Sequence, residues 1–146
     1  MAKVNVYLTF QGNCELAFNF YQSALGGEFK DLSRFGEMPP EEGMPELSNE
    51  MKNRLMHVSL PISTETVLMG SDTVPGFGPD VTMGDNFSIS LNVDSKEEAD
   101  SLFAKLSEGG TITMPLDETF WGSYFGMLKD QFGINWMVNH DLLENE

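Results

Sequence analysis

The sequence predicts an α+β fold built from two tandem modules, each with the order strand, helix, strand, strand, strand. A strand-like alternation, a helical repeat and a Gly-Gly pair follow one another over residues 4–27, and the same succession returns over residues 87–110. Three further strand-like segments follow each of them. We therefore expect one domain over residues 1–146, with module 1 at about 1–80 and module 2 at about 81–146.

A shift of the sequence by 83 positions superposes the two modules. The shift aligns residues of similar character: Asn5 with Ser88, Leu8 with Leu91, Phe20 with Phe103, and Gly26-Gly27 with Gly109-Gly110. An internal repeat of this kind predicts that each module is one supersecondary unit with the same chain path.

Module 1 begins with a half-buried strand and an amphipathic helix. In the strand, apolar and polar residues alternate: Val4, Val6, Leu8 and Phe10 against Asn5, Tyr7 and Thr9. Asn13 is a suitable N-cap, and Gly26-Gly27 favours a left-handed stop. The helical spacing predicts a buried face formed by five residues: Leu16, Ala17, Phe20, Tyr21 and Ala24.

The rest of module 1 is predicted as a strand, a long loop and a hairpin. Residues 28–35 form the strand candidate. Residues 36–50 collect proline, glycine and glutamate without periodicity, which is typical of an exposed connector or of a lid over a site. The segments 54–62 and 66–72 are close enough for a hairpin.

Module 2 repeats the arrangement. Its first strand alternates Phe87, Ile89, Leu91 and Val93 with Ser88, Ser90 and Asn92. After the helix, three segments are strand candidates: 111–120, 122–130 and 134–139.

Composition and charge narrow the function classes. Eight basic against 23 acidic residues give a net charge of −15, which argues against nucleic acid and anionic membranes as partners. Cys14 is the single cysteine, so neither a disulfide framework nor a cysteine-rich zinc module is expected, and the cytoplasm is the predicted compartment. The chain enters a strand at once and contains no long apolar run, so we expect neither an export signal nor a membrane span.

The histidine within the segment RLMHVSLPI is the first candidate for chemistry. Period-two alternation places Met56, Val58, Leu60 and Ile62 on one face. His57 and Ser59 then point from the other face. Histidine is the side chain that titrates nearest neutral pH, so His57 is a candidate general acid or base, and a structural hydrogen bond is the open alternative.

Four motifs in order resemble the PhnB-like branch of the vicinal oxygen chelate superfamily, which includes glyoxalase I, extradiol dioxygenases and bleomycin- and fosfomycin-resistance proteins. The chain has QGNCELAFNFYQSALGG where the branch shows NGNCEEAxxFYxxALGG. It has MHVSLPI and LMGSD where the branch shows MHxxLxI and LMxSD, and FGMLKDQFGINWMV carries the FGxxW strand pair. The resemblance covers nearly the whole chain.

This resemblance implies that each module curls into a half-open sheet, with helices on the convex face and a pocket on the concave face. Many superfamily members hold a divalent metal ion there. The corresponding positions in this sequence are Asn5, Met69, Ser88 and Met137. Because two thioethers, an amide and a hydroxyl are poor ligands for such an ion, we expect no metal and no other cofactor.

If the apolar faces pack on the helices, the polar faces line the implied pocket. The expected ligand-binding residues are Tyr7, Thr9, His57, Ser59, Met69, Ser90, Asn92, Trp121, Tyr124 and Met137. Trp121 and Tyr124 belong to the segment FWGSYFG and are predicted to cover a ligand. Phe120, Phe125 and Trp136 are predicted to be core.

Three hypotheses for function remain open from the sequence. The first is a metal-free small-molecule-binding protein. The second is a metal-assisted isomerase, lyase or dioxygenase with an unrecognised ligand set that includes His57. The third is a protein that sequesters a drug-like or toxic compound without turnover. In each case the resemblance and the open sheet edges predict a homodimer.

Overall fold

The computed structural model describes residues 1–39, 46–76 and 79–142. The chain divides into two compact units, Met1–Thr82 and Met83–Glu146. Residues 40–45 of the predicted loop or lid lie outside the described residues. Each unit contains one four-stranded mixed sheet and a long helix, which confirms the α+β fold with two βαβββ modules.

All four strands of the first unit belong to one sheet. Its elements are β1 (Val6–Phe10), α1 (Cys14–Leu25), β2 (Asp31–Arg34), a 3-10 turn (Phe35–Glu37), α2 (Asn49–Asn53), β3 (Leu55–Pro61) and β4 (Val67–Asp72). The strand order is β1-β4-β3-β2, with β1 parallel to β4 and the other pairs antiparallel. The sequence did not predict α2, which Ser48 caps by accepting a hydrogen bond from Met51 N–H.

One face of this sheet packs against α1. The buried face of the helix consists of Cys14, Ala17, Phe18, Tyr21 and Ala24. The predicted face was therefore wrong at Leu16, which is 66% exposed, and it omitted Phe18. Gly70 on β4 lets the helix approach, since a Cβ there would lie 2.6 Å from Phe18 Cε1.

The start of α1 is bonded by a carboxylate from another part of the unit. Asn13 occupies the N-cap position, but its side chain makes no capping hydrogen bond. Instead, Asp72 Oδ1 accepts from the backbone N–H groups of Gly12 and Cys14, at 2.8 and 2.9 Å. Asp72 Oδ2 accepts from Leu55 N–H at 2.9 Å, so one buried side chain joins the β1–α1 loop to β3.

Strand β3 contains an irregularity that changes its buried face. Ser33 on β2 pairs with His57, but the next residue, Arg34, pairs with Leu55, which leaves Met56 as the extra residue of a bulge. A bulge reverses the alternation, so Leu55 is fully buried together with Val58 and Leu60. The predicted inward position of Met56 is therefore wrong.

The second unit repeats the path of the first. Its elements are β5 (Ile89–Asn92), α3 (Lys96–Ser107), β6 (Thr111–Glu118), β7 (Ser123–Lys129) and β8 (Asn135–Asp141). The strand order is β5-β8-β7-β6, with β5 parallel to β8. Phe103 of α3 is buried over Gly126 of β7.

The residue of α1 that corresponds to Phe103 of α3 is one position away from the residue predicted by the sequence shift. Tyr21 of α1 and Phe103 of α3 each lie eighth in a twelve-residue helix, and both are buried. Phe20, which the sequence shift aligned with Phe103, is only half-buried.

The turn between β7 and β8 is organised by Asp130. Its Oδ1 accepts from the backbone N–H groups of Phe132 and Ile134, at 2.8 and 3.0 Å. Its Oδ2 accepts from the indole N–H of Trp136 at 2.8 Å, and Trp136 is fully buried as predicted.

Within the described ranges, no helix has both the length and the apolar character that a membrane span requires.

Candidate functional site

The face of the first sheet opposite α1, here called the first open face, carries most of the predicted site residues of module 1. Neighbouring strands place directly paired side chains on the same face. The register gives one row of Tyr7, Met69 and Ser59, and beside it Thr9 pairs with Ser71. His57 precedes Val58, the partner of Gly70, so it lies on the same face next to Ser71. The structure thus brings Tyr7, Thr9, His57, Ser59 and Met69 onto one surface.

The polar side chains of this surface make no hydrogen bonds to the part of the chain that the structure describes. Among the described residues, no hydrogen bond is made by the side chains of Tyr7, Thr9, His57, Ser59 or Ser71. His57 and Ser71 are half-buried, and Ser59 is only 8% exposed. The only buried side-chain nitrogen or oxygen without a partner among the described residues is Arg54 Nε, so the polar atoms of this surface still contact water and can exchange it for a ligand.

His57 and Tyr7 are close across the sheet. Their ring centroids are 6.0 Å apart with the planes inclined by 32°. The strand β4 lies between them and contributes Met69, the residue that pairs directly with Tyr7. An imidazole, a phenol and a thioether are therefore presented side by side, which suits a ligand with both polar and apolar parts.

Ser71 is a member of this surface that the sequence analysis missed. It pairs with Thr9 on β1, and it lies next to Gly70, whose buried position fixes Ser71 on the opposite face. The alternation Met69, Ser71 on β4 was the available signal.

The face of the second sheet opposite α3, here called the second open face, is more extensively hydrogen-bonded. Ser90 pairs with Met137, and Asn92 pairs with Asn139, so the predicted residues of β5 and β8 lie together. Asn139 Nδ2 donates to Asn92 Oδ1 and to Asp141 Oδ1, at 3.1 Å each. Sequence reasoning found Asn92 but not Asn139.

The segment FWGSYFG is arranged differently from its prediction. Phe120 is 98% exposed and Phe125 is half-buried on the second open face, so neither is a core residue. Trp121 lies beside Phe125, with ring centroids 6.1 Å apart. Trp121 therefore stays with the predicted site residues.

Tyr124 points to the helix side and not to the open face. Its hydroxyl donates to Asp100 Oδ1 of α3 at 2.5 Å, and Lys96 Nζ lies 4.8 Å from its ring centroid. The hydrogen bond to Asp100 raises the pKa of Tyr124. Because side chains alternate along β7, the position of Phe125 on the open face requires Tyr124 on the other.

Cys14 is a buried hydrophobe. It is fully buried, and burial, followed by the nearby Asp72 and Glu15 carboxylates, raises the pKa of its thiol. The protonated thiol that results is a poor nucleophile.

The residues at the superfamily's metal positions do not form a suitable donor set. Met69 pairs with Tyr7 and Met137 with Ser90, while Asn5 and Ser88 precede their strands. Across the described ranges, no three His, Cys, Asp or Glu side chains are grouped so that they could hold a metal ion. Thioethers and neutral oxygens bind hard or borderline divalent cations weakly.

The facing of β3 gives a stability prediction. We expect His57→Ala to lower the free energy of unfolding by less than about 1 kcal/mol, because the ring is half-buried and makes no hydrogen bond to a described residue. Val58→Ala removes two methyl groups from the core and should cost about 2 kcal/mol. Denaturant midpoints from far-UV circular dichroism compare the two, and a larger loss for His57→Ala would contradict the facing.

The chain resembles known proteins along nearly its whole length. The profile of the Glyoxalase/Bleomycin resistance protein/Dioxygenase superfamily matches residues 3–138. Protein YjdN of Escherichia coli is 33% identical over 138 residues, which cover 91% of each chain. The crystal structure of PA1353 from Pseudomonas aeruginosa is 40% identical, with a TM-score of 0.80 over 97% of this chain and 98% of that one. A PhnB protein from Bacillus cereus, named as a candidate 3-demethylubiquinone-9 3-methyltransferase, is 27% identical, with a TM-score of 0.73 over 95% and 99%.

Proposed function

Because the chain belongs to the glyoxalase/bleomycin resistance protein/dioxygenase superfamily, and to its PhnB-like branch, we propose that it binds a small organic molecule on the open faces of its sheets without a metal ion. The observation that carries the proposal is the first open face. Its half-buried imidazole and hydroxyl groups have hydrogen-bonding capacity that no described residue satisfies.

The surface combines orientation with adaptable contact. His57 and Tyr7 offer a nitrogen and a hydroxyl that bond polar groups of a ligand, and Met69 between them fits apolar parts of varied shape. If a reaction takes place here, His57 is the side chain suited to move a proton.

A metal-assisted reaction is less well supported. The alternative needs a ligand set that includes His57, yet the side chains beside it are hydroxyl, phenol and thioether groups. Those groups lack the charge and basicity that tight binding of zinc, nickel, manganese or iron requires.

Methyl transfer of the kind named for the Bacillus cereus relative is also poorly supported. A nucleotide-type cofactor is commonly held at a glycine-rich turn that opens a helix. In this chain, the backbone N–H groups of Gly12 and Cys14 at that position already donate to Asp72.

Ligand binding is tested best through the two histidines, because they occupy different surroundings. Compounds that raise the thermal midpoint are titrated while the imidazole resonances of His57 and His140 are followed by NMR. We expect His57 to shift and His140, whose Nδ1 lies 2.9 Å from Val93 O, to stay unchanged.

The matched variants are His57→Ala and His140→Ala. His57→Ala should weaken binding by about tenfold, and His140→Ala should leave it within about twofold. Binding that shifts only His140, or that survives His57→Ala unchanged, would place the ligand elsewhere.

Elemental analysis tests the metal-free part separately. The purified protein should contain transition metal well below one ion per chain, and added zinc or nickel should not raise its thermal midpoint. One bound ion per chain that disappears in His57→Ala would favour the metal-assisted alternative.

We also propose a cytoplasmic homodimer. The outer strands of the two sheets are β1 and β2 in the first unit and β5 and β6 in the second. On β6, the side chains of Ile112 and Met114 are 49% and 44% exposed. Exposed apolar edge strands are commonly covered by a partner. Light scattering should give twice the 16.3 kDa chain mass at micromolar concentration, whereas a mass of one chain would count against the dimer.

A further inference from the structure

We propose that the second open face binds an organic cation with an apolar body, seated against the rings of Trp121 and Phe125 and beside the carboxylates of Asp117 and Asp141. These four residues are called the acidic aromatic patch. The inference rests on the proposed function and adds the chemical class of the ligand.

The rings expose the surface that attracts cations. Trp121 and Phe125 are inclined by 63°, and Phe120 meets Trp121 edge-on at 5.0 Å and 87°. An edge-on neighbour covers only part of a ring face, and Trp121 remains 55% exposed. The electron-rich face of an indole is the strongest aromatic site for an ammonium or guanidinium group.

Two carboxylates flank this aromatic surface. Asp117 on β6 pairs directly with Phe125, and Asp141 on β8 pairs with Ser123, two residues away along β7. A direct neighbour has its Cβ at about 5 Å and a diagonal neighbour at about 7 to 8 Å. A cation over Phe125 is therefore within reach of both.

Each carboxylate is oriented by the protein but keeps one oxygen free. Asp117 Oδ1 accepts from Glu118 N–H at 2.8 Å. Asp141 Oδ1 accepts from Asn139 and, at 3.4 Å, from Ser123. In the described part of the chain, neither Oδ2 atom has a hydrogen-bond partner and neither aspartate has an ion pair.

The protein's own cation nearby is used on the opposite side of the sheet. Lys96 bonds Glu118 at 2.9 Å and lies over Tyr124, which faces α3. No described lysine or arginine covers Trp121 or Phe125. The negative charge of the patch is therefore available to a ligand.

The adjoining row of the sheet provides apolar contact for the rest of the ligand. Met127 and Met137 pair directly across β7 and β8, beside Phe125 along the strand. Thioether side chains adapt to apolar groups of different shape. Together with the net charge of −15, which attracts cations generally, the surface fits an amine on an aromatic or aliphatic body.

Benzylammonium and benzyl alcohol are suitable probes, since they have almost the same shape and differ in charge. Binding is measured by NMR at fixed ionic strength, with the indole N–H of Trp121 as the reporter and that of buried Trp136 as the control for an intact fold. We expect benzylammonium to bind at least about tenfold more tightly than benzyl alcohol and to shift Trp121.

Charge-removing variants separate the patch from the overall charge. The double variant Asp117→Asn, Asp141→Asn should remove most of the preference for benzylammonium over benzyl alcohol, whose own affinity should not change. The cation–π contact with Trp121 should keep a small remainder of that preference. Asp85→Asn, an exposed residue outside the patch, should leave both affinities unchanged. Trp121→Leu should weaken both probes.

Three results would overturn the inference. One is equal binding of the two probes, and a second is an equal effect of Asp85→Asn and the double variant. The third is that the probes do not shift the indole N–H of Trp121 and that Trp121→Leu dissociates a dimer. This result would mean that the patch contacts a second copy of the chain. None of these results contradicts the proposed function if library compounds still shift the imidazole resonances of His57. If no compound shifts those resonances, the proposed function itself is wrong, whatever the result at the acidic aromatic patch.

Discussion

Asp72→Ala should lower the free energy of unfolding of the first unit by about 3 to 5 kcal/mol. The carboxylate is 4% exposed and accepts three backbone hydrogen bonds, from Gly12, Cys14 and Leu55. Alanine leaves these three donors without an acceptor, and two of the three bonds are buried. Gly12 and Cys14 lie far from Leu55 in the sequence, so the substitution also removes the link between the β1–α1 loop and β3.

Cys14 provides the measurement, because it is the single cysteine and is fully buried. Labelling by a thiol reagent then requires the first unit to open. The predicted loss corresponds to an increase in labelling rate of about a hundredfold to several thousandfold when opening is a rapid pre-equilibrium.

Two further variants of the same unit complete this experiment. Asp80→Ala changes an exposed carboxylate and should leave the labelling rate unchanged. Asp72→Asn keeps one oxygen acceptor but turns an amide NH2 group toward another donor. Its Cys14 labelling rate should therefore lie between those of Asp72→Ala and Asp80→Ala. If Asp72→Ala is labelled no faster than Asp80→Ala, the carboxylate does not hold the unit together.

The repeat of the fold could be predicted because its signals are local. Alternation over β1 and β5, the helical segments and the hairpin of β3 with β4 each depend on neighbouring residues, and the structure confirms them. The recurrence of the pattern gave the modular order without any knowledge of contacts.

The errors arose where the apolar pattern allowed two solutions. Leu55 and Met56 are both apolar, so nothing in the pattern showed the bulge that buries the first and not the second. In α1, Leu16 and Phe18 are two residues apart and lie on nearly opposite sides of the helix, and packing against Gly70 buries the side that carries Phe18. Tertiary contacts decide between such alternatives.

The candidate site was partly predictable for the same reason. Alternation along a strand predicts which side chains point from its polar face. In this way Tyr7, Thr9, His57 and Ser59 were predicted to share one surface, and the strand register places them on one face. Their rows depend on strand order and on the parallel pairing of β1 with β4, which the sequence does not encode locally. Tyr124 was misplaced because its segment was considered as an aromatic cluster and not as alternating positions.

The two aspartates that organise the units were missed altogether. Asp72 and Asp130 each follow an apolar stretch at the end of a strand, where aspartate is typical of an exposed turn. Only the structure shows that both are buried and that each accepts hydrogen bonds from at least three described N–H groups. The described hydrogen bonds differ in sequence separation, because those of Asp72 join segments far apart in the chain and those of Asp130 join residues two to six positions away.

We expect the second large loss of stability on replacement of Asp130, which organises the turn between β7 and β8. Asp130→Ala should lower the free energy of unfolding of the second unit by about 3 to 5 kcal/mol, since Phe132 N–H, Ile134 N–H and the indole N–H of Trp136 lose their acceptor. Two of these bonds are buried, and Trp136 has no exposed surface from which water could replace the lost partner.

Tryptophan emission measures the effect, and a Trp121→Phe background leaves Trp136 as the single tryptophan. In that background, Asp130→Ala should shift the denaturant midpoint strongly, and the native emission should change because the indole N–H is unpaired. Asp85→Ala, an exposed aspartate of the same unit, is the matched control and should move neither quantity. Cys14 labelling should stay slow, because Phe132, Ile134 and Trp136, the three donors named above, all belong to the second unit. An unchanged midpoint would mean that water or a rearranged turn replaces the carboxylate, so that Asp130 does not stabilise the second unit.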